Sequence, residues 1–213
     1  GGYFIVNGTE KVILVQEQLS KNRVIVEVDP KKEIVQASVT SSSNERKSKS
    51  YIILKKGKLY LKHNVLSDDV PIVILLKAMG VHSDKEMLLL VAGVDEVYQE
   101  DFAVNFEEAI KQNVYTQQQA LDWIGSKIKI NRARQGGSYK RTHIQEAIEA
   151  ISSVIISHVE VTNMNFRPKA IYVAHMARRV LMAKHDPGMV DDRDYVGNKR
   201  LELAGQLMAL LFE

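Results

Sequence analysis

The chain has 213 residues, 45% hydrophobic and 26% charged, with four prolines and twelve glycines; this excludes disordered and collagen-like classes and fits one domain or two small ones. Lys plus Arg number 29 against 26 for Asp plus Glu, a net +3 too small for the whole molecule to act as a polycation, so any nucleic-acid affinity has to come from local clusters. The absence of cysteine excludes disulfides, Cys-zinc sites, iron–sulfur clusters and thiol nucleophiles.

Tyr3-Phe4-Ile5-Val6 and Val12-Ile13-Leu14-Val15 flank Asn7-Gly8, which predicts a hairpin, because Asn-Gly tolerates the positive φ angles of a type I′ turn. Val24, Val26 and Val28 predict a strand ended by Asp29-Pro30. Strands are also predicted over 34–39 and 51–54, on either side of a polar loop over 40–50. Lys56-Gly57-Lys58 reads as a turn into Leu59-Tyr60-Leu61. From residue 69 onward the apolar period changes from that of a strand to that of a helix. Val70, Ile74, Leu75 and Met79 share one helical face, with Gly80 as terminator. Ser83 with Glu86, Thr116 with Gln119 and Thr142 with Gln145 have capping-box spacing, predicting helices over 84–91, 117–129 and 143–159. Residues 166–184 read as a helix broken by Asp186-Pro187-Gly188, and 198–212 as a final helix with Leu201, Ala204, Leu207 and Leu211 inward. The predicted fold class is α+β: a strand-rich N-terminal part, then a mainly helical part, without βαβ alternation. No apolar run approaches the roughly 18 residues of a membrane span. Both ends read as cuts inside a longer polypeptide.

Catalytic signatures are absent: no phosphate-binding Gly-rich loop and no Gly-x-Ser-x-Gly occurs. His63, His82, His143, His158, His175 and His185 are scattered without zinc-ligand spacing, so structural or surface roles are expected of them. Asp191, Asp192 and Asp194 have the carboxylate density of a two-metal phosphoryl-transfer site. Helix N-terminal charges and local ion pairs explain the same cluster, and that reading is preferred. Lys127, Lys129, Arg132, Arg134, Lys140 and Arg141 fall in a stretch with no acid between Asp122 and Glu146. With Gly136-Gly137 and Tyr139 it suits a mobile, solvent-exposed loop that meets phosphates or an acidic partner. Arg46, Lys47, Lys49, Lys55, Lys56, Lys58 and Lys62 make a second basic region. Between Glu86 and Lys111 only acids accumulate. A solvated face accounts for each run equally well. Trp123 is expected in the core.

Four longer stretches carry more. Gly2-Tyr3-Phe4-Ile5-Val6-Asn7-Gly8-Thr9-Glu10-Lys11-Val12-Ile13 resembles a signature of the second-largest, β-like subunit of multisubunit DNA-dependent RNA polymerases. Asp191-Asp192-Arg193-Asp194-Tyr195-Val196-Gly197-Asn198-Lys199-Arg200-Leu201-Glu202-Leu203-Ala204-Gly205 resembles a second. Val70-Pro71-Ile72-Val73-Ile74-Leu75-Leu76-Lys77-Ala78-Met79-Gly80-Val81 and Phe166-Arg167-Pro168-Lys169-Ala170-Ile171-Tyr172 resemble its middle segments. Within that family, residues 37–48 and 205–213 look most like RNA polymerase III, and Gln206 stands where a Pro is usual in the polymerase II relatives.

The resemblance implies a region rather than an activity. Residues 28–191 would be the lobe domain, with 1–27 and 192–213 as two pieces of the protrusion. Lobe and protrusion form one wall of the DNA cleft. The catalytic magnesium is held by another subunit, and zinc elsewhere, so this chain is expected to carry no cofactor, metal ligand or catalytic residue. Nucleotidyl transfer belongs to the complete enzyme. The implied partners are other polymerase III subunits, including an initiation-factor-like heterodimer and a zinc-ribbon cleavage subunit, and the DNA template, in the nucleus. The candidate nucleic-acid contacts are Lys11, Lys127, Lys129, Arg132, Arg134, Lys140, Arg141, Lys199 and Arg200. The first hairpin and the last helix are expected to share an apolar layer of Phe4, Val6 and Val12 against Leu201, Leu207 and Leu211, leaving Lys11, Lys199 and Arg200 free. The alternative is an autonomous nucleic-acid-binding or metal-dependent phosphoryl-transfer domain.

Overall fold

The computed structural model describes residues 2–29, 34–43, 46–129 and 142–212. The strands are β1 (Tyr3–Val6), β2 (Thr9–Val12), β3 (Gln16–Leu19), β4 (Val24–Asp29), β5 (Ile34–Ser42), β6 (Lys47–Lys55), β7 (Lys58–His63), β8 (Val70–Pro71) and β9 (Lys199–Glu202). The helices are α1 (Ile72–Ala78), α2 (Asp84–Val91), α3 (Glu96–Ala103), α4 (Phe106–Lys111), α5 (Gln117–Ser126), α6 (His143–Glu149), α7 (Arg167–His185) and α8 (Ala204–Phe212). The α+β class holds. The chain divides into two compact units: Asn22–Asp191, and the end pieces Gly1–Lys21 with Asp192–Glu213. The larger unit starts at Asn22, two residues before β4, which is paired along its whole length with β5.

In the larger unit five antiparallel strands run in the order β4-β5-β6-β7-β8. Alternation along each strand sends Val26, Ala37, Val39, Ile52, Leu59 and Leu61 to one face, where all are buried. α1 and α7 pack on the sheet. Every residue of α1 is buried, which explains the apolar run Ile72–Leu76; the buried Lys77 pairs with Asp84 at 3.4 Å. Lys56 (φ 52) and Gly57 (φ 76) turn β6 into β7 in the left-handed region that a type I′ turn requires. The capping boxes of Thr116 with Gln119 and Thr142 with Gln145 start α5 and α6, and Ser83 caps α2.

Several elements differ from their sequence expectations. The polar stretch 40–50 is mostly strand, because β5 and β6 pair as far as Ser42 and Lys47. Three of its serines, Ser41, Ser48 and Ser50, are buried: Ser48 donates to the Val154 carbonyl at 2.8 Å and Ser41 meets His158 Nδ1 at 2.9 Å. α5 stops at Ser126, after which Ile128 bridges to Leu66. The helix expected over 143–159 is α only to Glu149; one π-helical turn, Ala150–Val154, follows, and Ile155 is extended. Residues 94–112, without a sequence pattern, hold α3 and α4, started by Asp95, whose carboxylate accepts the Val97 N–H, and by Asn105.

In the smaller unit β1 and β2 form the expected hairpin, with Asn7 at φ 53 and Gly8 at φ 74. The expected helix over 198–212 is corrected: Lys199–Glu202 is a strand, antiparallel to β3, and only Ala204–Phe212 is helical. The reason is a backbone ladder, Gln16 opposite Glu202 through Leu19 opposite Lys199, extended by the Ser20 N–H to the Asn198 carbonyl at 2.9 Å. This ladder, and not the expected apolar layer, ties the two chain ends. Of the expected layer only Phe4 and Leu207 are half-buried; Val6, Val12 and Leu201 stay exposed, and Leu211 is 90% exposed.

Candidate nucleic-acid interface

The basic segment after α5 begins with Lys127, the residue at the C-cap of that helix. Its ammonium lies 2.9 Å from Asp68 and 5.7 Å from the Trp123 ring centroid. Lys127 in turn holds the Asp68 carboxyl below the usual carboxylate range by hydrogen bond and charge. The expectation of cations without local counter-ions is corrected here: the counter-ion comes from 59 residues away, through the loop after β7. Trp123 is half-buried rather than fully in the core, and its indole N–H donates to Gln112 Oε1 at 3.3 Å. Lys129 is exposed and donates to the Asn64 carbonyl at 3.0 Å. Arg132, Arg134, Lys140 and Arg141, with Gly136, Gly137 and Tyr139, lie outside the described residues.

In the smaller unit Lys11 is exposed on β2, opposite Phe4. Lys199 is not free: its ammonium is 2.5 Å from Glu17 and 3.5 Å from Asp194. The Glu17 hydrogen bond raises its pKa first of all. Ladder geometry explains this: Glu17 stands opposite Leu201, two residues along β9 from Lys199, so Glu17 and Lys199 are diagonal neighbours on one face. Arg200 is exposed, with one N–H to the Lys199 carbonyl at 2.9 Å. The described candidates therefore fall in both units: Lys127 with Lys129 in the larger, and in the smaller Lys11 on the β1–β2 hairpin and Lys199 with Arg200 on the separate β3–β9 pair.

The aspartates are employed structurally. Asp191 Oδ2 accepts the Val26 N–H at 2.8 Å and pairs with Arg179 at 2.8 Å, while Arg179 also donates to the Val24 carbonyl at 3.0 Å. These bonds fasten α7 to β4. In the smaller unit Asp192 Oδ1 accepts the Asp194 N–H at 2.8 Å, an Asx turn. Among the described residues no three His, Asp or Glu side chains converge as a metal site, and no helix is long and apolar enough to cross a membrane.

Two buried groups escaped sequence reasoning. Lys169, in the first turn of α7, is fully buried. Its ammonium donates to three carbonyls, Ile151 at 2.6 Å, Ser152 at 2.7 Å and Ile155 at 2.8 Å. A helix end leaves carbonyls without intrahelical partners, and Lys169 supplies the donors where the π turn ends. Burial pushes its pKa down to about 8, so it remains an ammonium at neutral pH. The available signal was position: Lys169 falls on the stripe of Phe166, Ala170, Val173 and Ala177, all buried. His63 is also buried; its Nδ1 accepts the Val65 N–H at 3.2 Å, and burial lowers its pKa to about 4, leaving a neutral ring.

Comparison with known proteins adds identity to this geometry. The profile of the family described as RNA polymerase Rpb2, domain 2, matches residues 20–202. The chain is similar to DNA-directed RNA polymerase III subunit RPC2 of Schizosaccharomyces pombe, 64% identical over 213 residues, all of this chain and 18% of that protein. The subunit of the same name from Saccharomyces cerevisiae is 63% identical over the same span, again 18% of its length. DNA-directed RNA polymerase subunit Rpo2 of Saccharolobus solfataricus is 32% identical over 218 residues, 18% of that protein. The chain thus spans about a fifth of the length of the curated relatives it matches.

Proposed function

This chain belongs to the RNA polymerase Rpb2, domain 2 family, and from that membership we propose that it works as a cleft-wall module of the second-largest subunit of DNA-directed RNA polymerase III. On this reading the unit Asn22–Asp191 is the lobe, and the end pieces belong to the protrusion. The module contacts template DNA and docks accessory subunits, among them an initiation-factor-like heterodimer and a zinc-ribbon cleavage subunit, in the nucleus. It performs no bond-making of its own; nucleotidyl transfer, and the magnesium and zinc it needs, belong to the rest of the enzyme. The nucleic-acid contacts assigned to it are the exposed cations Lys11, Lys129 and Arg200, the paired Lys127 and Lys199, and the cations of 132–141.

The observation that carries this proposal is 64% identity, over the full chain, to a protein named as a polymerase III subunit. The fate of the aspartates supports its non-catalytic part, since Asp191 is committed to Arg179 and the Val26 N–H. The test is incubation of the purified chain with primer–template, nucleotides and magnesium or manganese. No template-dependent extension and no cleavage is expected. Either activity, abolished by Asp192→Ala, would replace the module reading with that of an autonomous phosphoryl-transfer domain.

A further inference from the structure

The second basic region lies on the sheet face opposite the helical core. Ile52, Leu59 and Leu61 point to that core, so Lys49, Tyr51 and Lys62, which alternate with them, point the other way. Tyr51 stands directly across from Lys62. The Lys49 ammonium is 5.0 Å from the Tyr51 ring centroid. These three side chains, with Lys129, Asp68 and Asp69, line a cleft of about 420 Å³.

Charge decides the sign of what enters. Asp68 is met by Lys127 at 2.9 Å and Asp69 by Lys55 at 3.9 Å. Among the described residues Lys49 and Lys62 have no ion pair, and Lys129 gives one of its N–H groups to the Asn64 carbonyl. Three lysines and two aspartates line the cleft, and the two aspartates are taken up by Lys127 and Lys55 from outside the lining, which leaves Lys49, Lys62 and Lys129 to face an anion. Its volume falls in the range of small-ligand sites, roughly 300–1,000 Å³. That is room for a nucleotide or two, whereas a duplex presents a convex backbone that lies across a surface. The half-buried Tyr51 ring adds what an anion alone does not use: a flat face for stacking.

We propose that this cleft binds a single nucleic-acid strand, DNA or RNA, with phosphates on Lys49, Lys62 and Lys129 and a base stacked on Tyr51. The proposal rests on the reading of the chain as a polymerase cleft-wall module and deepens it by locating an unpaired strand. An acidic protein segment would use the same lysines, yet it would gain nothing from the ring.

The test titrates the whole chain with labelled oligo-dT, oligo-rU and a short duplex, with polyglutamate as competitor. Wild type is compared with Tyr51→Ala, Tyr51→Phe and Lys49→Ala/Lys62→Ala, each first checked for a cooperative melt. Stacking is worth about 1–3 kcal/mol per base, so Tyr51→Ala is expected to weaken single-strand binding about 5- to 160-fold, with duplex binding unchanged and Tyr51→Phe close to wild type. Three phosphate contacts give a logarithmic salt slope of about −2, hence about a 20-fold loss from about 50 to about 200 mM salt. In the double lysine variant the slope should fall to about −0.7. Tighter binding of oligo-dT or of oligo-rU supports the proposal and names the strand. Unchanged single-strand affinity in Tyr51→Ala overturns it. So does polyglutamate binding the wild type and Tyr51→Ala equally while displacing the oligonucleotide, which assigns the cleft to an acidic protein segment. Failure here leaves the module reading standing wherever the chain still enters the polymerase; a chain that binds strands but stays out of the enzyme removes that reading alone.

Discussion

Replacing Lys169 by Met removes the three donors that close the end of the α6 segment while keeping most of the side-chain volume. Two buried carbonyls, those of Ile151 and Ile155, and the partly buried one of Ser152 then lose their partner. Each orphaned buried group costs about 1–3 kcal/mol. Against this stands the cost of burying an ammonium. A pKa lowered from 10.5 to about 8 corresponds to about 3 kcal/mol at neutral pH. The balance favours the wild type by roughly 3 kcal/mol at pH 7, about 6–12 °C in Tm for a unit of this size. The pH dependence separates the two contributions. Because the folded pKa is the lower one, the unfolded chain binds the extra proton between about pH 8 and 10.5, and wild-type stability rises with pH through that window. The gap between wild type and Lys169→Met should therefore widen by about 2–3 kcal/mol from pH 7 to pH 10. Guanidinium unfolding at both pH values measures it. A variant as stable as wild type at pH 7 would refute the capping role. A gap unchanged at pH 10 would refute the lowered pKa.

Two further perturbations act elsewhere in the larger unit. The unfolded chain protonates His63 near pH 6.5, the folded one only near pH 4, so His63 contributes stability above pH 6.5 that is lost as the pH falls toward 4. Wild type should lose about 3 kcal/mol more than His63→Leu between pH 7 and pH 4 in paired unfolding curves; parallel curves would contradict the burial argument. A Cβ on Gly125 would sit 2.0 Å from the His143 carbonyl oxygen. Because backbone rather than a flexible side chain stands there, Gly125→Ala should cost about 3 kcal/mol or more, beyond ordinary overpacking of about 1–3 kcal/mol, and a thermal melt within 2 °C of wild type would refute the clash.

Local chemistry was legible in the sequence. Asn7-Gly8 and Lys56-Gly57 both form turns with positive φ, and Thr116 and Thr142 both start helices where their capping boxes predict. What sequence could not reveal depends on residues far apart in the chain. β3 and β9 are short and polar, without alternation, and each is a strand only because the other supplies its ladder. Lys127 reads as an unpaired cation until the loop after β7 brings Asp68 to it. Lys199 looks available for phosphates until Glu17 is placed beside it by the same ladder. The apolar stripe of α7 places Lys169 inward, but only the ending of the α6 segment reveals the carbonyls it serves. The role of the whole chain came from resemblance over long motifs and not from any chemical constellation within it.

The central claim is that the chain is a working part of RNA polymerase III. Its most direct measurement is a Schizosaccharomyces pombe strain whose only copy of subunit RPC2 carries this chain in place of the matching 213 residues. The subunit should co-purify with the polymerase and sustain synthesis of small RNAs near the parental rate. A hybrid subunit that accumulates in the cell but stays out of the polymerase would contradict the account.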